Sequence, residues 1–115
     1  MTPWWWPFGR VPDIEPRALD RALQGEGAPQ LLDVRTRGEF ERGRIRGARL
    51  VPISGFRRAR PSLDLDAGRP VVAICKTGHR SRGAVRLLRR LGYDARNLAG
   101  GMDAWRRAGL DEDKG

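Results

Sequence analysis

The sequence predicts an α/β domain built on a mostly parallel sheet with helices over its faces. Three observations predict it. Short apolar runs alternate with amphipathic segments along the chain, glycines punctuate the joints between them, and Val71–Ile74 carries no polar side chain. A strand that reads apolar throughout is covered on both faces, which is the habit of parallel sheets. The length of 115 residues suits a single domain.

The elements follow in order. Residues 1–13 are rich in proline and tryptophan, and Pro3, Pro7 and Pro12 disfavour helix around them, so Trp4, Trp5 and Trp6 sit on an extended arm. Pro16 suits a first helical position, Ala18, Leu19, Ala22 and Leu23 recur at helical spacing, and Gly25 and Gly27 end that segment. Residues 31–34 read as a buried strand. Thr36 followed by Glu39 is a capping-box pattern, opening a short helix that runs to about Arg42 and places Phe40 in the core. Residues 48–53 read as a strand broken at Pro52, and 57–65 carry no clear pattern. After the strand Val71–Ile74, Ala84, Leu87, Leu88 and Leu91 form one apolar stripe on a helix over 81–91, which Gly92 ends. Ala95–Leu98 is a last strand. Gly100 and Gly101 then lead into a helix around 104–108, with Trp105 closing it onto the sheet. The expected organisation is an arm over 1–10, a domain over 11–110 and a tail over 111–115.

Charge and cysteine content exclude several classes. Lys and Arg number 23 against 14 Asp and Glu, a net charge of +9, and only Lys76 and Lys114 are lysines. The arginines spread from Arg10 to Arg107 with clusters at 42–49 and 57–60, which reads as a solvated basic surface rather than a nucleic-acid footprint. One cysteine, Cys75, excludes an internal disulfide framework. The longest apolar run is far below the roughly 20 residues of a membrane-spanning helix, and the first ten residues lack the pattern of a secretory signal. The expected location is the cytoplasm.

Chemistry concentrates at one joint. Cys75 ends the most buried strand, and KTGHR separates it from Ser81 at the start of the best helix. Free N–H groups and the dipole at a helix N-terminus stabilise an anion, and a thiol held there ionises more readily than a free one. Gly78 permits the tight turn, and Arg80 adds a permanent charge with donors matched to an oxyanion. A buried cysteine is often only a small apolar plug. The polar, basic, glycine-containing flank favours a reactive thiol.

Here the sequence resembles the rhodanese family of single-domain sulfurtransferases. LLDVRTRGEF, GRIRGARLVPI, VVAICKTGHRS and LLRRLGYDARNLAGGMDAW fall in family order and spacing over about residues 11–110. The resemblance implies a three-layer α/β domain in which Cys75 takes sulfane sulfur as a persulfide. Backbone N–H groups from Lys76, Thr77, Gly78, His79, Arg80 and Ser81 would cradle it. Arg80 would shape the loop, Asp33 and Arg35 would support it from behind, and Lys76 and His79 occupy variable positions that tune donor and acceptor. His79 has no general-base duty here, because sulfur transfer from a thiolate needs none. One departure is that Arg44 and Arg46 stand where the family often has the His and Pro of a G-H-I-P-G turn, which predicts a more basic or less rigid turn.

The implied reaction moves sulfur from thiosulfate or a similar donor to cyanide or a thiol, with no metal or organic cofactor. An alternative is a persulfide carrier that delivers sulfur to a protein partner. A phosphatase or arsenate reductase is disfavoured. Those enzymes resemble C-x5-R, whereas the interval from Cys75 to Arg80 is one residue shorter and makes a tighter cradle.

Overall fold

The computed structural model describes residues 11–56 and 63–115. Trp4 to Trp6 on the expected arm, and residues 57–62 of the stretch without pattern, lie outside the described residues. Five strands, β1 (Asp13–Ile14), β2 (Gln30–Asp33), β3 (Arg49–Leu50), β4 (Val71–Ile74) and β5 (Ala95–Leu98), form one sheet in the order β1-β5-β4-β2-β3. Every pairing is parallel. Helices α1 (Pro16–Leu23), α2 (Arg37–Arg42), α3 (Ser81–Arg90) and α4 (Gly101–Arg107) connect and flank these strands, with a 3-10 turn at Ile53–Gly55.

The period-2 alternation of β4 sorts the core into two halves. Val71, Ala73 and Cys75 pack with Ala84, Val85, Leu87 and Leu88 of α3. Val72 and Ile74 pack on the other face with Leu19 of α1 and with Met102 and Trp105 of α4. The same alternation therefore aims Cys75 towards the helix that starts beside it.

Most of the expected elements are present, and the differences have physical reasons. Asp13, at the end of the proline-rich stretch, and Ile14, assigned to no element, form an edge strand against β5, where the Asn97 N–H donates to the Pro12 carbonyl at 2.8 Å and that of Ala99 to Ile14 at 2.9 Å. Two residues carry no periodicity, and what makes them a strand is the open edge of β5. The strand expected over 48–53 is two residues long, although Val51 and Ile53 still donate to Asp33 and Val34. Pro52, between them, has no N–H to give.

Phe40 is not in the core. Helix α2 has no buried residue, and the Phe40 ring is half buried beneath the Arg44 guanidinium, 4.9 Å from its centroid. Leu91, the last residue of the expected apolar stripe, caps α3 and is 45% exposed, because the helix stops one residue before it. Helix α4 starts three residues earlier than expected, directly after Gly100 in the left-handed conformation. Among the described residues no helix is long and apolar enough to cross a membrane.

Candidate active site

Cys75 is the first residue past β4 and is fully buried. Its Sγ accepts the Gly78 N–H at 3.1 Å and lies 3.3 Å from the Ser81 hydroxyl. The five residues between Cys75 and Ser81 turn back over the sulfur, which requires Gly78 at φ +84°. A Cβ at Gly78 would also stand 2.9 Å from the Gly100 nitrogen.

The loop rests on the first turn of α4. Met102 and Asp103 donate their N–H groups to the carbonyls of Cys75 and Lys76 at 2.8 and 2.9 Å, so donors that a helix start leaves free are satisfied by the loop itself. This contact demands Gly101, where a Cβ would lie 2.4 Å from the Cys75 carbonyl oxygen and 2.6 Å from the Gly78 nitrogen. Gly100 and Gly101 were legible only as turn residues. Their second duty, letting two backbones touch beneath the cysteine, had no local signal.

Asn97 is the polar residue that sequence reasoning missed. It sits inside β5, 1% exposed, and donates from Nδ2 to the Gly78 carbonyl and to Asp13, both at 3.0 Å. Its Oδ1 accepts from the Ser81 hydroxyl. A polar residue in a short strand between Ala95 and Leu98 is a weak clue, and the sequence offers no other.

Asp33 and Arg35, expected behind the loop, are engaged with each other and with the end of α2. Arg35 forms a bidentate pair with Asp33, with Nε to Oδ1 at 2.8 Å and Nη2 to Oδ2 at 2.7 Å, and reaches the Gly43 carbonyl at 2.7 Å. Both side chains are buried, and this pair braces the end of β2 against the end of α2. Arg80 pairs with Glu39 at 3.2 Å. Burial pushes the Glu39 carboxyl up, but the Thr36 N–H, the Arg80 guanidinium and the Thr36 hydroxyl outweigh it and hold it below the usual carboxylate range. Lys76, Thr77 and His79 are exposed on the outside of the loop.

A groove of about 360 Å3 opens beside Lys76, lined also by Arg35, Glu39, Arg42, Arg106, Glu112 and Lys114. The C-terminal residues wall it because they are strapped to the domain. Arg44 and Asp113 exchange backbone hydrogen bonds at 2.9 and 2.8 Å, Arg46 pairs with Asp113 at 3.1 Å, and Arg106 with Glu112 at 2.8 Å. The two arginines of the unusual turn thus have a structural use, one stacked on Phe40 and the other paired to the tail.

The model of the rhodanese-like domain matches residues 15–108, which include every part of this arrangement except Asp13 and the tail. The chain belongs to the rhodanese-like family. Its domain is 39% identical over 77 residues to the uncharacterised protein YqhL of Bacillus subtilis, covering 66% of this chain and 60% of that one. It is 33% identical to the thiosulfate sulfurtransferase GlpE of Actinobacillus succinogenes, covering 85% of this chain and 86% of that one. Further curated relatives are longer, and the matched part of this rhodanese-like chain spans between 19% and 48% of them. Among solved structures, a rhodanese-related protein of Thermoplasma volcanium superposes with a TM-score of 0.81 at 28% identity, over 90% of this chain and 98% of that one.

Proposed function

We propose that this rhodanese-like domain is a sulfurtransferase that carries sulfane sulfur on Cys75, taking it from thiosulfate or a similar donor and passing it to cyanide or a thiol. The observation that carries the reading is the Cys75 cradle. The lone cysteine ends the central strand inside a tight loop, with the Gly78 N–H and the Ser81 hydroxyl at its sulfur. The Cys75 thiolate attacks the outer sulfur of thiosulfate, the donor S–S bond breaks, and its electron pair leaves on sulfite. The acceptor then attacks the outer sulfur of the persulfide, and Cys75 departs as the thiolate. Because Sγ is fully buried, both half-reactions require the loop to open enough to admit one sulfur atom.

Delivery to a protein acceptor is a second reading, supported by the groove beside Lys76 and by longer relatives such as the adenylyltransferase and sulfurtransferase MOCS3-1 of Zea mays. Mass spectrometry after thiosulfate treatment tests the shared step. One added sulfur on Cys75, removed by cyanide as thiocyanate and absent in Cys75→Ser, is the expected result. A wild-type protein that gains no sulfur overturns the assignment.

A further inference from the structure

The hydroxyl of Ser81 has one proton and two buried acceptors. Its Oγ touches both Cys75 Sγ, at 3.3 Å, and Asn97 Oδ1. The orientation of the Asn97 amide follows from its other partners. The Gly78 carbonyl and the Asp13 carboxylate only accept, so Nδ2 must face them both, and Oδ1 is left facing Ser81. Asn97 and Ser81 are 1% and 0% exposed, so both lie away from bulk solvent.

We infer that Asn97 is a positioning residue that holds the Ser81 proton away from Cys75 and so restrains ionisation of the thiol. With Cys75 protonated, every demand is met: Ser81 donates to Asn97 Oδ1 and receives the thiol S–H on its own lone pair. When the thiol loses its proton to solvent, the sulfur becomes an acceptor facing a lone pair. Ser81 must then turn its proton to the sulfur, leaving Asn97 Oδ1 buried without a donor, or leave the thiolate supported by the Gly78 N–H alone. Either choice costs a buried hydrogen bond, and unmade buried bonds are expensive. A persulfide on Cys75 removes the S–H in the same way, so loading with sulfur also turns the hydroxyl. The inference rests on Cys75 being the sulfur-carrying nucleophile of the proposed function.

Other charged groups lie on the elements around the cradle, among them Arg82 and Arg86 on α3. The others are Asp13 on β1, the Asp33–Arg35 pair at the end of β2, Lys76, His79 and the Glu39-paired Arg80 on the loop, and Asp103 at the start of α4. All are common to the variants below, and the donors that Asn97→Ala takes from Asp13 and Gly78 are lost equally when Ser81→Ala is added, so the difference between the single and the combined change reports the hydroxyl.

The test is the ultraviolet absorbance of the thiolate followed against pH, with the same titration of Cys75→Ser subtracted to remove the signal of the one tyrosine, Tyr93. Asn97→Ala frees the Ser81 proton for the sulfur, and the midpoint is expected to fall by about one pH unit, the worth of a hydrogen bond to a charged group. Ser81→Ala in the wild-type background is expected to move it by less than about half a unit, since the proton it removes is held by Asn97. Combining the two changes should abolish the fall. If Asn97 only braced the loop, its loss would loosen the Gly78 donor and raise the midpoint. An unchanged or raised midpoint in Asn97→Ala overturns the inference. Should that variant fail to fold, Ser81→Ala decides: a rise of about a full unit shows that the hydroxyl already serves the thiolate. The titration needs no sulfur transfer. A protein that gains no sulfur from thiosulfate while its midpoints move as stated fails the proposed function and keeps the role of Asn97, and the reverse pattern fails only Asn97.

Discussion

A methyl group added at Gly101 would fall 2.4 Å from the Cys75 carbonyl oxygen, in a backbone conformation, φ +61°, that other residues rarely adopt. Overpacking and the left-handed strain add, so Gly101→Ala is expected to cost about 3 kcal/mol or more and to remove the capacity of Cys75 to hold sulfur. Gly92 has the same sign of φ, +97°, but nothing within 4 Å of where its Cβ would stand. Gly92→Ala should therefore cost only about 1–2 kcal/mol, the conformational part alone, and leave sulfur loading intact. Urea midpoints and persulfide yields of the two variants check this pair. Equal losses in both would mean that the close approach of α4 to the loop is unimportant.

At the scale of elements, α2 is held by its capping box and by Arg80, not by burial. Thr36 accepts from the Glu39 N–H, Glu39 accepts from the Thr36 N–H, and the same carboxylate takes the Arg80 guanidinium from the loop. Glu39 titrates below the ordinary carboxylate range in the folded protein. Its contribution is therefore complete above the unfolded value, about 4.3, and is lost as pH falls through the lower folded one. Glu39→Gln is expected to cost less than about 1 kcal/mol at neutral pH, because Gln at this position still completes a capping box and the charge it removes is paired with an Arg80 that is 40% exposed and screened. The difference from wild type should shrink in acid, as measured by thermal unfolding at several pH values. A gap that stays constant from neutral to strongly acidic pH would show that the charge of Glu39 is not involved.

Across the whole molecule, the +9 charge and the C-terminal strap meet at the groove beside the loop. Within it Arg35, Glu39, Arg106 and Glu112 are engaged in the pairs already described, while Arg42, Lys76 and Lys114 add positive charge at the mouth. Capture of a dianionic donor such as thiosulfate is thus expected to be partly electrostatic, with kcat/KM falling as salt rises and kcat nearly unchanged. A flat salt response assigns the arginines to solubility alone. Ending the chain after Leu110 removes the backbone exchange with Arg44, the Arg106–Glu112 pair and the Asp111 carbonyl that accepts the Trp105 indole N–H at 2.8 Å. That truncation should cost about 2 kcal/mol and lower the melting temperature. An unchanged melting temperature would mean that the strap contributes nothing to stability.

Local chemistry determined what the sequence could reveal by itself. The uninterrupted apolar run of β4, the Pro16 start of α1, the Thr36–Glu39 cap and the placement of Cys75 between the best strand and the best helix are written within a few neighbouring residues, where periodicity and capping act. What only the tertiary structure decided involves partners far apart in the chain. Asp13 becomes a strand because β5 has an open edge, and Phe40 leaves the core because α2 lies on the surface under Arg44. Arg80 pairs with a carboxylate 41 residues away, and the tail closes the groove by pairing with a turn 67 to 69 residues earlier. Asn97 reaches Ser81 and Gly78 of the cysteine's loop only because β5 pairs beside β4 in a register that sets Ala73 opposite Asn97, two residues short of Cys75. Such pairings depend on strand order and register, and no stretch of a few residues encodes either.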